Sequence, residues 1–217
     1  MGAEEYDYIF KIVMVGYCGV GKSNLLSSFT RNEFHTNNHT TIGLDFATKR
    51  VEINGRHIKA QIWDTSGQKR FTPLASAYFC GAKGALLVYD ITEGYHTIEC
   101  WLRELREHAP KDIIIMLVGN KSDLGHLRKV PSEVAQAFAE QNGMSFIETS
   151  AKDSSNVGKA FHNLLGQIYT LHHSKELLNA GEDDDNNKKA PPHGSSTVIR
   201  LDRSNSQQDS QINRGCC

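Results

Sequence analysis

The stretch Ile9–Val15 is apolar and rich in β-branched residues, and it runs directly into Gly16-Tyr17-Cys18-Gly19-Val20-Gly21-Lys22-Ser23. The run reads as a buried strand, and Gly21–Phe29 behind it reads as a helix. The spacing G-x-x-x-x-G-K-[ST] between them restricts what the chain can fold into more than any other feature. Glycines let the backbone wrap an anion with no Cβ in the way. Successive N–H groups and the start of the following helix then all point at that anion. In such a loop Lys22 reaches the β- and γ-phosphates of a nucleotide, and the hydroxyl of Ser23 ligates Mg2+.

The rest of the chain supplies a scaffold for that loop. Val51–Ile53 and His57–Trp63 flank Asn54-Gly55, a strong two-residue hairpin signal. Gly84–Asp90 and Ile113–Gly119 are nearly continuous apolar runs, which suit strands buried on both faces of a mostly parallel sheet. His96–His108 has helical spacing through Ile98, Trp101, Leu102 and Leu105. Pro131 opens another helix where its missing N–H costs nothing. Ser145–Glu148 is a last strand, and Val157–Leu171 a last amphipathic helix, with His172-His173 expected to be solvated at its frayed end. Strands alternating with helices mean α/β with right-handed crossovers, and there are no internal repeats. The pattern stops after about Lys175. The expectation is therefore a domain over 1–174, able to bury about 70% of its unfolded surface, and a disordered tail over 175–217.

Composition excludes several functions. The chain has 217 residues and a net charge of −1. Neither the first 174 residues nor the remainder has a basic excess, which argues against a nucleic-acid partner. Cys18, Cys80, Cys100, Cys216 and Cys217 are odd in number and scattered, so neither a zinc site nor a disulfide framework is expected, and a reducing compartment fits best. The ten histidines show no ligand spacing. No apolar run approaches the ~18 residues that would make a spanning helix. The opening MGAEEYDYIF lacks the basic n-region of a secretory signal, and Tyr6 stands where a myristoylation site wants Ser or Thr.

Asn120-Lys121-Ser122-Asp123 follows directly on the strand Ile113–Gly119. Ligands of open α/β sheets bind at the C-terminal ends of strands. There a carboxylate such as Asp123 accepts hydrogen bonds from N1–H and the 2-amino group of guanine; adenine has no such donor pair on that edge. An ATP-using phosphate-loop kinase is the other enzyme class open to the loop alone, and this motif argues against it.

With these motifs in order, the chain resembles the Ras-like small GTPases over residues 9–172. Asp64-Thr65-Ser66-Gly67-Gln68 resembles the family's D-T-A-G-Q, Thr41 its switch I threonine, and Ser150-Ala151-Lys152 its S-A-K loop. The resemblance implies a phosphate-loop NTPase fold in three layers, with a mostly parallel six-stranded sheet and helices on both faces. It implies that Gly16, Cys18, Gly19, Val20, Gly21, Lys22, Ser23, Asn24, Thr41 and Gly67 surround the phosphates. Asn120, Lys121, Asp123, Ser150, Ala151 and Lys152 would surround the base. Ser23, Thr41 and Asp64 would hold Mg2+, Asp64 through water, and Gln68 would orient the attacking water. Phe34, seven residues before Thr41, stands where the family packs an aromatic ring on guanine; an ordinary core phenylalanine is the other reading.

Within the superfamily, segments such as Ile42-Gly43-Leu44-Asp45-Phe46 and Tyr78-Phe79-Cys80-Gly81-Ala82 resemble Rab proteins, and Phe146-Ile147-Glu148-Thr149-Ser150 resembles the recycling-endosome branch. Ile42, Gly43, Phe46, Trp63 and Phe79 would then be read by effectors, although the three aromatics also suit a core. Gly215-Cys216-Cys217 resembles the Rab signal for two geranylgeranyl groups. One lipid anchors only marginally, and the tail has no polybasic cluster to help. The expected role is a monomeric, membrane-anchored GTP/GDP switch in vesicle traffic. It would be served by an exchange factor, an activating protein, a GDP-dissociation inhibitor and effectors. Its expected place is the cytoplasmic face of endosomal, trans-Golgi or plasma membrane, with a cytosolic pool.

The chain departs from Rabs at Tyr17 and Cys18 in the phosphate loop, and at Ser66, Lys69, Pro73 and Cys80. These departures put hydrolysis in question, so a GTP-binding interaction protein with negligible turnover is the alternative reading. Cys18 lies beside cationic Lys22 at a helix N-terminus, which favours a thiolate; a buried, inert thiol is the other possibility.

Overall fold

The computed structural model of the chain describes residues 5–36, 41, 44–67, 77–93 and 98–182. Strand β1 (Tyr8–Val15) leads into helix α1 (Lys22–Arg31), followed by β2 (Leu44–Ile53), β3 (Arg56–Thr65) and β4 (Gly84–Asp90). Helix α2 (Ile98–His108), β5 (Ile114–Asn120), a 3-10 segment (Ser122–Leu127), α3 (Ser132–Gln141), β6 (Ser145–Glu148) and α4 (Val157–Glu182) complete the described elements.

The six strands form one sheet in the order β2-β3-β1-β4-β5-β6. Only β2 and β3 run antiparallel; every other neighbouring pair is parallel. The β2–β3 turn is the one the sequence signals: Asn54 and Gly55 take φ of 52° and 75°, the left-handed pair that a type I′ turn requires. The hairpin is longer than Val51–Ile53 suggests, because the ladder continues to Leu44 opposite Thr65.

Side-chain alternation along β1 divides the core in two. Phe10, Ile12 and Met14 face α1 and α4, meeting Leu25, Leu26, Phe29, Phe161 and Leu164. Val13 and Val15 face α2 and α3, meeting Trp101, Leu105, Ala135 and Ala139. The expected three-layer α/β arrangement is thus present, with β4 buried along its whole length. Phe29 and Phe161 stack at 4.0 Å between centroids, which ties α1 to α4; such pairs contribute about 0.5–1.5 kcal/mol beyond their area.

The end of α4 differs from the sequence expectation. The helix runs to Glu182, well past Leu171, and the compact unit extends over Met1–Leu178, with Asn179–Cys217 as a second unit. His172 is only partly exposed, its ring lying 5.6 Å from Tyr8 and 5.7 Å from Phe10, whereas His173 is exposed as expected and stacks on Tyr169 at 5.5 Å. Tyr8 also donates to Glu176 at 3.1 Å, and Lys175 pairs with Asp112 at 2.6 Å. These contacts to distant segments hold turns that periodicity alone leaves to fray.

All five parallel strands end on one edge of the sheet. The loops after β1, β3, β4, β5 and β6 therefore emerge together, which gathers the sequence motifs in one place.

Candidate functional site

The loop between β1 and α1 depends on close backbone approaches. A Cβ on Gly16 would lie 2.1 Å from the Val88 carbonyl oxygen, so the loop leaves the sheet only with glycine there. A Cβ on Gly67 would lie 2.3 Å from the Cys18 nitrogen. The backbone after β3 therefore lies directly against the phosphate loop at Gly67.

Lys22 is 6% exposed. Its Nζ donates to the carbonyls of Gly16 at 2.9 Å and Tyr17 at 3.1 Å. Burial pulls its pKa below the usual lysine value, and the nearby Asp64 and Cys18 oppose that shift. The ammonium is thus folded over its own loop, with few competing ligands for an arriving phosphate. Cys18 is half-buried. Tyr17 is exposed.

Beside the loop, the Ser23 hydroxyl lies 2.9 Å from the Thr41 hydroxyl and donates to Asp64 Oδ2. Asp64 is fully buried, and its Oδ1 has no hydrogen-bond partner among the described residues. Burial raises its pKa, against the lowering effects of the Ser23 hydrogen bond and of Lys22. Two hydroxyls and a carboxylate with a free oxygen are hard donors of the type Mg2+ takes, so the residues present fit the cation expected there.

The base side is built from three loops joined by one amide. Asn120, 1% exposed, donates from Nδ2 to the Val20 carbonyl at 2.8 Å. Its Oδ1 accepts from Thr149 Oγ1 and from the Ala151 N–H, both at 3.3 Å. Asp123 Oδ1 accepts from the Ser150 hydroxyl at 2.8 Å, and its Oδ2 lies 3.9 Å from Lys152 Nζ. Lys121 takes φ of 67°, a left-handed conformation that costs a non-glycine residue about 1–3 kcal/mol. Its Nζ meets Asp90 Oδ2 at 2.6 Å.

A cavity of about 290 Å³ opens among Gly19, Phe34, Asn120, Lys121, Asp123 and Ala151. Phe34 is 39% exposed at its rim, so it is not a core residue. Asn24 also lines this cavity, and its amide bonds the backbone of His35 on both sides, at 3.0 and 3.1 Å. Asp90 was not singled out by the sequence reading. Its place at the end of the run Gly84–Asp90 was visible, but its partner Lys121 was not.

Of the two readings of Phe79, the structure shows the core one: it is fully buried with Val13, Leu87 and Trp101, and its neighbour Tyr78 is the half-buried one. Phe46 and Trp63 do pair, edge to face at 5.1 Å, with Phe46 46% exposed. Ile42, Gly43, Gln68, Lys69, Pro73, Cys216 and Cys217 lie outside the described residues.

The raised pKa of Asp64 sets a pH dependence. The native state holds its proton above the ordinary carboxylate range, so native binds more protons than unfolded between the two values, and stability falls as pH rises through that window. Asp64→Asn is therefore expected to make the nucleotide-free, metal-free protein more stable than the parent at neutral pH. The gain should vanish below the ordinary carboxylate range. Urea unfolding at the two pH values checks this; equal stabilities at neutral pH would contradict it.

Along one sheet edge the phosphate loop after β1 lies between the hard-donor cluster at the end of β3 and the cavity formed by the loops after β5 and β6. The Ras family profile matches residues 11–170, well over half the chain, and the chain belongs to that family of small GTPases.

Proposed function

We propose that the chain is a Mg2+-dependent GTP/GDP switch of the Rab type, anchored to membranes by two geranylgeranyl groups and acting in vesicle traffic. The observation that carries the nucleotide reading is Asp123, whose carboxylate lines the cavity at the end of the phosphate loop and is steadied by Ser150. Guanine offers that carboxylate two donors. Asp123→Asn should shift preference from GTP toward XTP, because the amide can face xanthine's extra carbonyl. Unchanged GTP affinity in a competition assay would mean that Asp123 does not touch the base.

Ser23, Thr41 and Asp64 would hold Mg2+, which when bound neutralises phosphate charge. The chain's own part is positioning. Lys22 leaves its loop carbonyls for the β- and γ-phosphates. The Gly67 N–H and Thr41 meet the γ-phosphate, and Gln68 orients water. Loss of the γ-phosphate frees Thr41 and Gly67, and the segments that carry them relax. The Phe46–Trp63 pair, on the strands joining those segments, supports the Rab reading. It would present the switch state to effectors, while an exchange factor, an activating protein and a GDP-dissociation inhibitor act on the same surface.

Cys216 and Cys217 carry the membrane reading, since stable anchoring takes two signals and the tail supplies no basic one. With α4 running to Glu182, the tether would start after it rather than at 175, and residues 183–215 would give a random-coil reach of about 30 Å. The expected location is the cytoplasmic face of endosomal, trans-Golgi or plasma membrane. Replacing both cysteines with Ser should leave GTP binding intact and move the protein to the soluble fraction of cells. Continued membrane association would reject a lipid-only anchor.

A second reading, a GTP-binding interaction protein with negligible turnover, is favoured by Ser66. Its hydroxyl is buried, with no partner among the described residues, one residue before Gly67. The γ-phosphate or the attacking water would satisfy it, at the expense of the alignment that Gln68 provides. One misdirected hydrogen bond of about 1.4 kcal/mol slows the reaction about tenfold. Ser66→Ala should therefore speed single-turnover hydrolysis by about that factor; an equal or slower rate would sink the idea.

A further inference from the structure

Asp123 and Ala151 sit on separate loops, and the cavity keeps its shape only if both hold still. On the cavity side the loops are joined directly. Ser150 Oγ donates to Asp123 Oδ1 at 2.8 Å, and the Ser122 N–H donates to the Thr149 carbonyl at 3.0 Å. The 3-10 segment that carries Asp123 has no buried residue, and Leu124 inside it departs from helical geometry at φ −96° and ψ 31°. Apolar packing therefore does not hold this segment. It depends on what grips its two ends.

The outer end is gripped by Arg128. Its N–H donates to the Gly125 carbonyl at 3.2 Å and closes the segment. Its guanidinium then forks onto Glu148, Nη1 to Oε1 at 2.6 Å and Nη2 to Oε2 at 2.9 Å, while Nη1 also donates to the Val130 carbonyl at 3.1 Å. Glu148 ends β6, immediately before the loop Thr149–Lys152, and its own carbonyl accepts from Asn156 Nδ2 at 2.9 Å. The next residues, Lys129 and Val130, both donate their N–H groups to the Ile91 carbonyl, at 2.8 and 3.2 Å. The paired side chains are 28% and 20% exposed.

An exposed ion pair in high dielectric contributes little. A half-buried fork is different, because two parallel charge-assisted bonds fix the plane of the guanidinium as well as its distance. Here the fork joins the strand that feeds one base loop to the residue that closes the other.

We propose that Arg128 and Glu148 are positioning residues for guanine recognition. Their fork clamps the outer end of the Asp123 segment to β6, so that Asp123 and the Ala151 loop keep their spacing across the base. The proposal rests on the reading of Asp123 as the acceptor for guanine, and it adds residues that touch no part of the nucleotide. A clamp of this type shows in base selectivity and release rate, which a purely structural pair would not move together.

The test uses the full chain loaded with fluorescent GDP, with competition between GTP and ITP, whose base lacks the 2-amino group that Asp123 accepts. Arg128→Ala should release GDP about tenfold faster and shrink the preference for GTP over ITP by a similar factor. Arg128→Lys keeps the charge and loses the fork; it should show the same two changes, and it is the variant read if Arg128→Ala does not fold. A lower melting temperature with release and preference within about twofold of the parent would overturn the proposal and leave the pair a purely structural one. Asp123→Asn, measured alongside, separates the two ideas. If it fails to favour XTP, the base reading fails. If it favours XTP while the Arg128 variants behave as the parent, only the clamp fails.

Discussion

The carboxamide of Asn120 is the contact on which the site depends. It satisfies the Val20 carbonyl of the phosphate loop, the Thr149 hydroxyl and the Ala151 N–H from a single buried side chain. Three loops that leave different strands thus share one set of hydrogen bonds. In a low-dielectric interior such a network is strong when complete and costly when broken. No residue with only donors or only acceptors could take its place, since the amide must donate to the phosphate loop and accept from the loop after β6.

Around this hub the protein holds charges at a cost to its own stability. Lys22 and Asp64 are buried next to each other, and burial shifts each toward its neutral form. Each has part of its capacity turned inward: Lys22 to loop carbonyls, Asp64 to Ser23 with one oxygen unpaired. Phosphate oxygens and a divalent cation are the counter-charges that would relieve both. The left-handed Lys121 adds local strain, offset by its ion pair with Asp90. Stability is lowered where the ligand will restore it, which is how a switch makes its fold responsive to what it binds.

Much of this was legible in the sequence. The strand before Gly16, the Asn54-Gly55 hairpin, the double-sided burial of Gly84–Asp90 and the strand Ser145–Glu148 all follow from patterns a few residues long. The phosphate loop and Asn120-Lys121-Ser122-Asp123 were legible because each is one contiguous segment whose chemistry needs those residues at that spacing. The order of strands in the sheet then had only to bring the two segments to the same edge.

What the sequence did not decide depends on residues far apart in the chain. Nothing local distinguishes Phe79, which the sheet buries completely, from Tyr78 beside it. Nothing near His172 predicts that Tyr8 and Phe10 will cover it and carry α4 on to Glu182. Arg128 reads as one surface charge among many until β6 sets Glu148 beside it. The sequence by itself determined the elements and the motif chemistry, because dihedral preference and hydrophobic period act over a few residues. Tertiary structure alone decided burial, ion pairing and the spacing of the base loops, because those are set by which strands lie side by side.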